Sequence, residues 1–380
     1  MSPAWNTPVI VAARRTPIGS AGHGLRNLTV DELAAAVIEA VAADLPGGVR
    51  VEEVVLGNCL GPGGNVARVA ALRAKLEVSV AARTLDLQCG GGLAAIVAAA
   101  DAVRSGRCEV VLAGGAESAS TAPTRTWPSG EGYARAPFAP PGHPDPDMGA
   151  AADDLARHSG ISRDRADAYA ARSHTRAWAA HRAGVFDDEL VPVGTLTRDE
   201  RVRPGMTSER LARLRPTFGA QGTVTAGNAT GINDGAAVVA VVSERVRSGW
   251  GVPGLAITEA AQRGVDPALP GLGPVAAVRA LTTLTDDDGA VDWRTVDRVE
   301  VNEAFAAQVL ACCDALGLPE DRVCADGGAL ALGHPWGASG AVLAVRLFSA
   351  IVRQRRGTTG LAAIAVGGGQ GVALTVERVG

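Results

Sequence analysis

The chain has 380 residues, more than one hydrophobic core usually supports, so we expect two or three subdomains. The formal net charge is only −4 and no basic stripe with interleaved aromatic residues occurs, which argues against nucleic acid as a partner. No apolar run approaches the roughly 20 residues of a membrane span. The first residues do not resemble an export signal, so we expect a cytoplasmic protein.

Residue usage narrows the chemistry further. Aromatic residues make up 3% of the chain against 47% hydrophobic residues overall, so the core must be built from Ala, Val and Leu. Lys75 is the only lysine, which rules out a Walker A loop and leaves almost no candidate for Schiff-base chemistry. The six cysteines show neither C-x-x-C spacing nor paired histidines, so we predict reduced thiols without a disulfide or metal site. They are Cys59, Cys89, Cys108, Cys312, Cys313 and Cys324.

The first third alternates short apolar runs with amphipathic segments, which is typical of a sheet with helices on its faces. One helix start is marked by Thr29 as the N-cap and by Glu32 at the position of a capping-box carboxylate. We predict strands at residues 7–13, 51–58, 84–88 and 109–113, and helices from residue 29, at 65–74 and at 93–105.

Segment 87–93 joins a predicted strand to a predicted helix through Cys89 and three glycines. Glycines lack the Cβ that would obstruct a sharp turn, and the N–H groups and positive dipole of the helix start face Cys89. Such an environment favours a thiolate and binds an oxyanion, so Cys89 is a candidate nucleophile. A single cysteine is more often a small buried hydrophobe, so the assignment depends on the rest of the chain.

The character of the chain changes after residue 118. Pro, Gly, Trp and Arg are frequent in residues 121–147, and helices are predicted at 150–158 and 163–183. Loops of this length inside a compact chain are usually functional. We therefore interpret residues 119–231 as an inserted loop domain between two parts of one core.

The final third repeats the organisation of the first. Segment 326–335 is a second glycine-rich corner, followed by a long helix at 338–353, an apolar strand at 361–366 and a glycine run at 367–371. Each half thus has a glycine corner, a helix, a strand and a glycine pair in the same order, which indicates an internal duplication. A functional site is expected where the two similar subdomains meet.

Six segments carry motifs that occur together, in this order, in one enzyme family. They are residues 11–19, the corner at Cys89, and residues 113–118, 225–237, 302–306 and 327–340. On these segments the chain resembles the thiolase family of condensing enzymes over nearly its whole length. The resemblance implies a duplicated, layered α/β/α/β/α core with an inserted loop domain. Its three parts are an N-terminal half (residues 1–118 plus 232–254), the inserted domain (119–231) and a C-terminal half (255–380).

The resemblance also implies roles for single residues. Cys89 is the expected nucleophile, and His334 is expected to take the thiol proton and then to donate a hydrogen bond to a thioester oxygen. Asn302 resembles an asparagine that orients a water at the thioester carbonyl, and the N–H groups of Cys89 and Gly367 would form a second oxyanion site. No metal ligand is implied. The residues that match positions contacting substrate or coenzyme A are Met148, Arg203, Thr230, Ala304 and Phe305.

One departure from the family pattern bears on mechanism. Thiolases carry a second cysteine two residues before the last glycine run, where it acts as acid and base at the substrate α-carbon, and here that position is Ala365. No cysteine follows Cys324, so a shifted alignment does not restore the thiol. A methyl group cannot move a proton, and general acid–base catalysis typically contributes about 10²–10⁴-fold. Ordinary condensation or thiolysis should therefore be slowed, while acylation of Cys89 survives.

Several functions are compatible with this residue set. We favour a thiolase-like acyltransferase that takes an acyl group from acyl-CoA onto Cys89 and transfers it to a second nucleophile. The first alternative is a conventional thiolase with a substitute base. The second is a decarboxylative condensing enzyme, because Cys89, His334 and Asn302 resemble the set of the ketoacyl synthases. The third is a catalytically silent partner that retains the fold.

The resemblance further implies partners. The substrate is expected to be a coenzyme A thioester, held in a cradle formed by the inserted domain, and no covalently bound cofactor is expected. An acyl carrier protein is an alternative donor. The dimers and tetramers that are usual in the family imply a homo-oligomer.

Overall fold

The computed structural model of the protein describes residues 4–282 and 292–380. The strands are β1 (Pro8–Arg15), β2 (Gly19–Ser20), β3 (Glu53–Gly57), β4 (Ala81–Leu85), β5 (Val110–Ser118), β6 (Arg125–Thr126), β7 (Gly132–Tyr133), β8 (Asn233–Ser243), β9 (Gly254–Gly264), β10 (Arg298–Val301), β11 (Thr359–Val366) and β12 (Gln370–Val379). The α-helices are α1 (Val30–Ala43), α2 (Val66–Arg73), α3 (Gly91–Arg104), α4 (Met148–His158), α5 (Arg163–Arg182), α6 (Ser208–Leu211), α7 (Glu244–Trp250), α8 (Gly273–Arg279), α9 (Ala306–Leu316), α10 (Ala329–Leu332) and α11 (Trp336–Phe348).

The main sheet contains the same strand order twice. In the N-terminal half the order is β4-β3-β5-β8-β1, and in the C-terminal half it is β10-β11-β12-β9. β3 is parallel to β4 and β5, whereas the pairs β5–β8 and β8–β1 are antiparallel. β10 is likewise parallel to β11, and the pairs β11–β12 and β12–β9 are antiparallel. A single parallel bridge from Val299 to Val323 takes the place that β4 has in the N-terminal half. The repeated strand order confirms the predicted duplication.

The two half-sheets enclose a central layer of helices. Alternate side chains of a strand point to opposite faces of a sheet. Val111 of β5 packs with α3 and α11, whereas its neighbour Leu112 packs with α1 and α2. Ile364 of β11 also packs with α3 and α11, whereas Ala363 packs with α8 and α9. The layers therefore follow the predicted order α/β/α/β/α.

The central helices α3 and α11 approach each other at van der Waals distance. A Cβ added to Gly92 would lie 2.8 Å from the carbonyl oxygen of Gly337, and a Cβ added to Gly340 would lie 2.5 Å from the nitrogen of Leu93. Real side chains do not make contacts this short, so glycine is required on both helices by the close approach of their backbones. The start of each helix is thereby held at the junction of the two halves.

The inserted segment packs on the C-terminal half. The helices predicted at 150–158 and 163–183 correspond to α4 and α5. Leu155 of α4 and Tyr169 of α5 belong to the same hydrophobic cluster as Leu310 of α9. The inserted segment is therefore part of the wall of the C-terminal half.

A buried ionic cluster connects β1, the inserted segment and α11. Arg15 Nε donates to Glu189 Oε1 at 2.7 Å, and Arg15 Nη1 donates to Asp199 Oδ1 at 2.6 Å. Arg346 also donates to Glu189, and the guanidinium groups of both arginines lie over the ring of Phe186, at 5.5 Å for Arg15 and 4.5 Å for Arg346. Two buried cations thus depend on Glu189 for compensation.

Among the described residues, one helical stretch, Trp336–Arg353, is long and apolar enough to cross a membrane by length and composition. It consists of α11 and the π-helical turn Ser349–Arg353 that continues it. Of this stretch 83% is buried inside the protein, which is typical of a core helix.

Candidate active site

Cys89 lies in a tight turn, Gln88–Gly90, between β4 and α3. The strand predicted at residues 84–88 ends at Leu85, because the backbone turns sharply before the cysteine. Gln88 has a φ of 44°, in the left-handed region that residues other than glycine rarely adopt. Asp86 Oδ1 holds this conformation by accepting hydrogen bonds from the N–H of Gln88 at 3.1 Å and from its side-chain amide at 2.9 Å.

The glycines after Cys89 are required by packing. Gly90 and Gly91 have ordinary helical φ values of −80° and −52°, so it is the space a Cβ would occupy, as predicted, that requires glycine there. A Cβ on Gly90 would lie 2.5 Å from Val366 Cγ2, and a Cβ on Gly91 would lie 3.0 Å from the Cα of Gly57. The corner is therefore enclosed by β3 of one half and β11 of the other.

A cavity of about 640 Å³ opens in front of Cys89, where the two halves meet the inserted segment. This volume lies within the roughly 300–1,000 Å³ of small-molecule sites. Across residues 4–282 and 292–380, no cluster of three or more His, Cys, Asp or Glu side chains is arranged to hold a metal ion. The predicted site residues that line the cavity are Cys89, His334, Ala365, Gly367, Met148, Thr230, Ala304 and Phe305.

The surroundings of Cys89 favour the neutral thiol over the thiolate. Burial raises the pKa of its thiol to about 12, and the negative charge of Glu117 acts in the same direction. This corrects the prediction of a stabilised thiolate, because the start of α3 does not compensate for the loss of solvation. Removal of the proton therefore has to be coupled to the reaction at sulfur.

His334 precedes α11 as Cys89 precedes α3. Its backbone N–H donates to Asn233 Oδ1 at 2.9 Å, and its Nδ1 lies 2.6 Å from Ser339 Oγ. Because Ser339 engages Nδ1, Nε2 is the ring nitrogen available to the cavity. Burial lowers the pKa of His334 to about 4, so the ring is neutral at pH 7 and able to accept a proton.

Two predicted site residues lie outside the cavity wall. Asn302 is buried, and its Nδ2 lies 3.4 Å from His334 Nδ1, beside the histidine and next to a smaller neighbouring cavity. Arg203 has an exposed side chain, and its backbone N–H donates to His174 Nδ1 at 3.4 Å. Asn302 thus contacts the imidazole directly, whereas Arg203 lies on the outer side of the inserted segment.

The cavity wall contains a second thiol, which the sequence analysis did not identify. Cys59 Sγ donates to Glu117 Oε2 at 2.8 Å, and Glu117 has no exposed surface. Glu117 also accepts hydrogen bonds from the N–H groups of Cys59, Leu60 and Gly337 at 3.2, 3.0 and 3.0 Å, and from Asn58 Nδ2 at 2.8 Å. The carboxylate is therefore fixed in place with one oxygen on the Cys59 thiol.

The strand pattern could have predicted that Cys59 lies near Cys89. β3 and β4 are parallel neighbours, and the carboxyl ends of parallel strands lie at the same edge of a sheet. Cys59 follows β3 closely, as Cys89 follows β4. Two cysteines that follow adjacent parallel strands are thus placed near one another by topology alone.

The inserted segment supplies cationic and aromatic groups to the wall. Arg125 Nη2 donates to the carbonyl oxygen of Cys59 at 2.8 Å. The guanidinium of Arg135 lies over the ring of Phe138 at 4.4 Å, and Phe138 in turn packs on the glycine run after β11. A Cβ on Gly367 would lie 2.7 Å from Phe138 Cε2. The sequence analysis did not single out these groups, because they lie in a loop without periodic pattern.

Comparison with known proteins agrees with this architecture. Residues 8–245 match the family model of the thiolase N-terminal domain, and residues 253–378 match that of the thiolase C-terminal domain. The acetyl-CoA acetyltransferase of Pseudomonas aeruginosa is 42% identical, in a match covering 97% of this chain and 99% of the relative. The acetyl-CoA acetyltransferase structure from Bacillus anthracis gives a TM-score of 0.90 at 36% identity, covering 98% of this chain and 99% of that one. Human mitochondrial 3-ketoacyl-CoA thiolase gives a TM-score of 0.88 at 33% identity, with coverage of 99% and 100%. The chain therefore belongs to the thiolase family of acyltransferases.

Proposed function

We propose that the protein takes an acyl group from an acyl-coenzyme A onto Cys89 and transfers it to a second nucleophile. The observation that carries the proposal is that Cys89 and His334 line one cavity, each at the start of one of the two paired central helices. The relatives named acetyl-CoA acetyltransferase and 3-ketoacyl-CoA thiolase support a coenzyme A thioester as the substrate.

Acylation follows from the protonation states of the two groups. Prior transfer of the proton would create a thiolate and an imidazolium, and burial disfavours both charged forms. The proton therefore moves to His334 Nε2 while Cys89 Sγ attacks the thioester carbon. Negative charge then develops on the thioester oxygen, where we expect the N–H groups of Cys89 and Gly367 to stabilise it. As the C–S bond to coenzyme A breaks, its sulfur takes the proton from His334, so coenzyme A leaves as the free thiol and the imidazole is neutral again.

Asn302 and Ser339 support the histidine from the side away from the cavity. Ser339 Oγ is at hydrogen-bond distance from His334 Nδ1, at 2.6 Å, and Asn302 Nδ2 lies 3.4 Å from the same nitrogen. A hydroxyl both donates and accepts, so Ser339 is compatible with either state of the ring during the reaction. Orientation of a water by Asn302 at the thioester oxygen stays a prediction.

The inserted segment forms one side of the proposed coenzyme A cradle. Met148, Phe218 and Thr230 supply its surface to the cavity, and Arg125 and Arg135 supply positive charge. A diphosphate on a long pantetheine arm needs such a combination of cationic and small or apolar groups. We propose that the domain with this role extends over residues 119–231, between the two parts of the N-terminal half. Arg203 would contact the coenzyme outside the cavity.

A homo-oligomer is part of the proposal. β4 is the terminal strand of the main sheet, and among the described residues no strand pairs with its outer edge. An unpaired edge is a ready surface for pairing with a second copy. An acyl carrier protein as donor and a cytoplasmic location stay predictions.

The test is mass spectrometry of the intact protein after incubation with acyl-CoA thioesters of increasing chain length. We expect one acyl adduct on the wild type and none on Cys89→Ala. Cys313→Ala is the matched control, because Cys313 is buried on α9 and does not line the cavity. An adduct that persists in Cys89→Ala contradicts the proposal. Addition of free coenzyme A, malonyl-CoA, an amine or an alcohol to the acylated protein then identifies the acceptor class.

A further inference from the structure

We infer that Cys59, hydrogen-bonded to Glu117, moves the α-proton of a second acyl thioester during carbon–carbon bond formation, in place of the thiol that is missing at Ala365. The inference rests on the proposed function, because it requires acyl-Cys89 as the electrophile. It names the acceptor as a carbon nucleophile, and it assigns Cys59 as a catalytic residue of the condensation and of the reverse thiolysis.

The cavity geometry is the first argument. Cys59, Cys89 and Ala365 line the same cavity, so a thioester bound there shares this cavity with both cysteines. Cys59 and Cys89 follow the parallel strands β3 and β4, whereas Ala365 lies near the end of β11 in the other half. Ala365, which stands where the family has its second thiol, and Cys59 thus line one cavity from different halves of the molecule.

The carboxylate partner is the second argument. A thiol alone is a poor base at neutral pH, but Cys59 Sγ lies 2.8 Å from Glu117 Oε2, which gives its proton a place to go. Four N–H donors hold Glu117, so its position does not depend on the thiol. No other cysteine lines the cavity apart from Cys89 within the part of the chain that the structure describes.

Burial and nearby negative charge oppose ionisation of the Cys59 thiol. Burial raises the pKa of Cys59 well above its ordinary value, and negative charge on Glu117 and on Cys89 adds to the effect. Loss of the Cys59 proton therefore needs an acceptor in contact with the sulfur, and Glu117 Oε2 at 2.8 Å is such an acceptor.

The steps balance without an external oxidant or reductant. Glu117 Oε2 takes the thiol proton of Cys59 as a sulfur lone pair takes the α-proton, and the C–H bonding pair remains on the substrate as an enolate. The enolate carbon attacks the carbonyl of acyl-Cys89, a C–C bond forms, and the C–S bond breaks with its electron pair on Cys89. The proton on Glu117 returns through Cys59 to Cys89, which restores both thiols. Thiolysis runs through the same transfers in reverse.

The test measures acylation and α-proton transfer separately on the full chain. Acyl-Cys89 is quantified by intact mass after addition of acetyl-CoA. Deuterium incorporation from D₂O into the α-carbon of recovered acetyl-CoA reports α-proton transfer. Cys59→Ala is compared with the wild type and with Cys108→Ala. The latter is a matched control, because Cys108 Sγ also contacts a carboxylate, Glu53 Oε2 at 3.8 Å, but does not line the cavity.

We expect Cys59→Ala to acquire the same acetyl adduct as the wild type, which also shows that it is folded. Its deuterium incorporation should fall by about 10²-fold or more, the typical contribution of a general base, while Cys108→Ala retains wild-type exchange. Normal exchange in Cys59→Ala overturns the inference, as does a wild type that acylates but exchanges no deuterium. A wild type that forms no adduct overturns the proposed function itself.

Discussion

Ser339 Oγ lies 2.6 Å from His334 Nδ1, five residues further along the chain and inside the first turns of α11. Both residues are buried, so the hydrogen bond forms in surroundings where an unpaired ring nitrogen would be costly. The contact fixes the plane of the imidazole and leaves Nε2 for the cavity. The start of α11 thus provides both the histidine and the group that orients it.

Ser339→Ala should slow acylation of Cys89 without abolishing it. Loss of one hydrogen bond of about 1 kcal/mol corresponds to roughly a fivefold decrease in rate. Rapid-quench measurement of adduct formation checks the value, and Ser173→Ala is the control, because Ser173 is a buried serine that contacts Glu303 outside the cavity. Equal acylation rates in Ser339→Ala and wild type would show that the ring needs no such support.

Ala365→Cys should rescue the condensation in the Cys59→Ala background. A thiol at residue 365 faces the same cavity, so it can take over α-proton transfer. We expect acetoacetyl-CoA turnover to rise by at least tenfold in Cys59→Ala/Ala365→Cys over Cys59→Ala. In the wild-type background the same change should alter turnover less than tenfold, because a base is already present. A 10²–10⁴-fold gain in the wild-type background would mean that the native protein has no working base.

The duplication could be predicted because glycine is required wherever two backbones approach closely. Gly92 and Gly340 lie on the two helices that contact each other, α3 and α11, and the glycine-rich corner before each helix, at residues 87–93 and 326–335, is visible in the sequence. Sequence reasoning also identified Cys89, from its glycine corner, and His334, from the family resemblance. It could not give their protonation states, because burial, which dominates both pKa values, is a property of the assembled layers.

Motif matching missed Cys59, which lines the cavity, and family matching selected Arg203, which does not line it. Cys59 belongs to no matched motif, and only the parallel pairing of β3 with β4 places it beside Cys89. Arg203 was selected because it matches a family position that contacts coenzyme A, but its side chain lies outside the cavity. Loop residues of this kind are positioned by tertiary contacts, which have no periodic signature in the sequence.

Glu300→Gln should change the pH dependence of stability. Burial raises the pKa of Glu300 to about 7, despite the opposing charge of Arg346. The folded state therefore keeps a proton that the unfolded state loses above its ordinary pKa of about 4.3. Unfolding releases this proton between those values, so the free energy of unfolding falls as pH rises toward 7, by up to about 3 kcal/mol.

Thermal unfolding of the wild type and Glu300→Gln at pH 5 and pH 8 tests this linkage. The amide has no charge to lose, so the variant should gain stability relative to the wild type on going from pH 5 to pH 8. Glu77→Gln, at an exposed site, should show no such gain. A difference in melting temperature that is the same at both pH values would mean that Glu300 is ionised throughout.

Glu189→Gln should destabilise the fold through charge. The carboxylate is fully buried and accepts hydrogen bonds from Arg15 and Arg346, which are also buried, so its removal leaves two cations undercompensated. Breaking a buried pair typically costs about 3–5 kcal/mol, whereas an exposed pair contributes about 0–1 kcal/mol. Urea unfolding of Glu189→Gln should show the larger loss, and Asp154→Asn, which breaks the exposed pair with Arg157, the smaller one.

Because Asp199 remains on Arg15, a second substitution, Asp199→Asn, should cost less in the wild type than in Glu189→Gln. Additive losses would mean that the arginines are compensated independently.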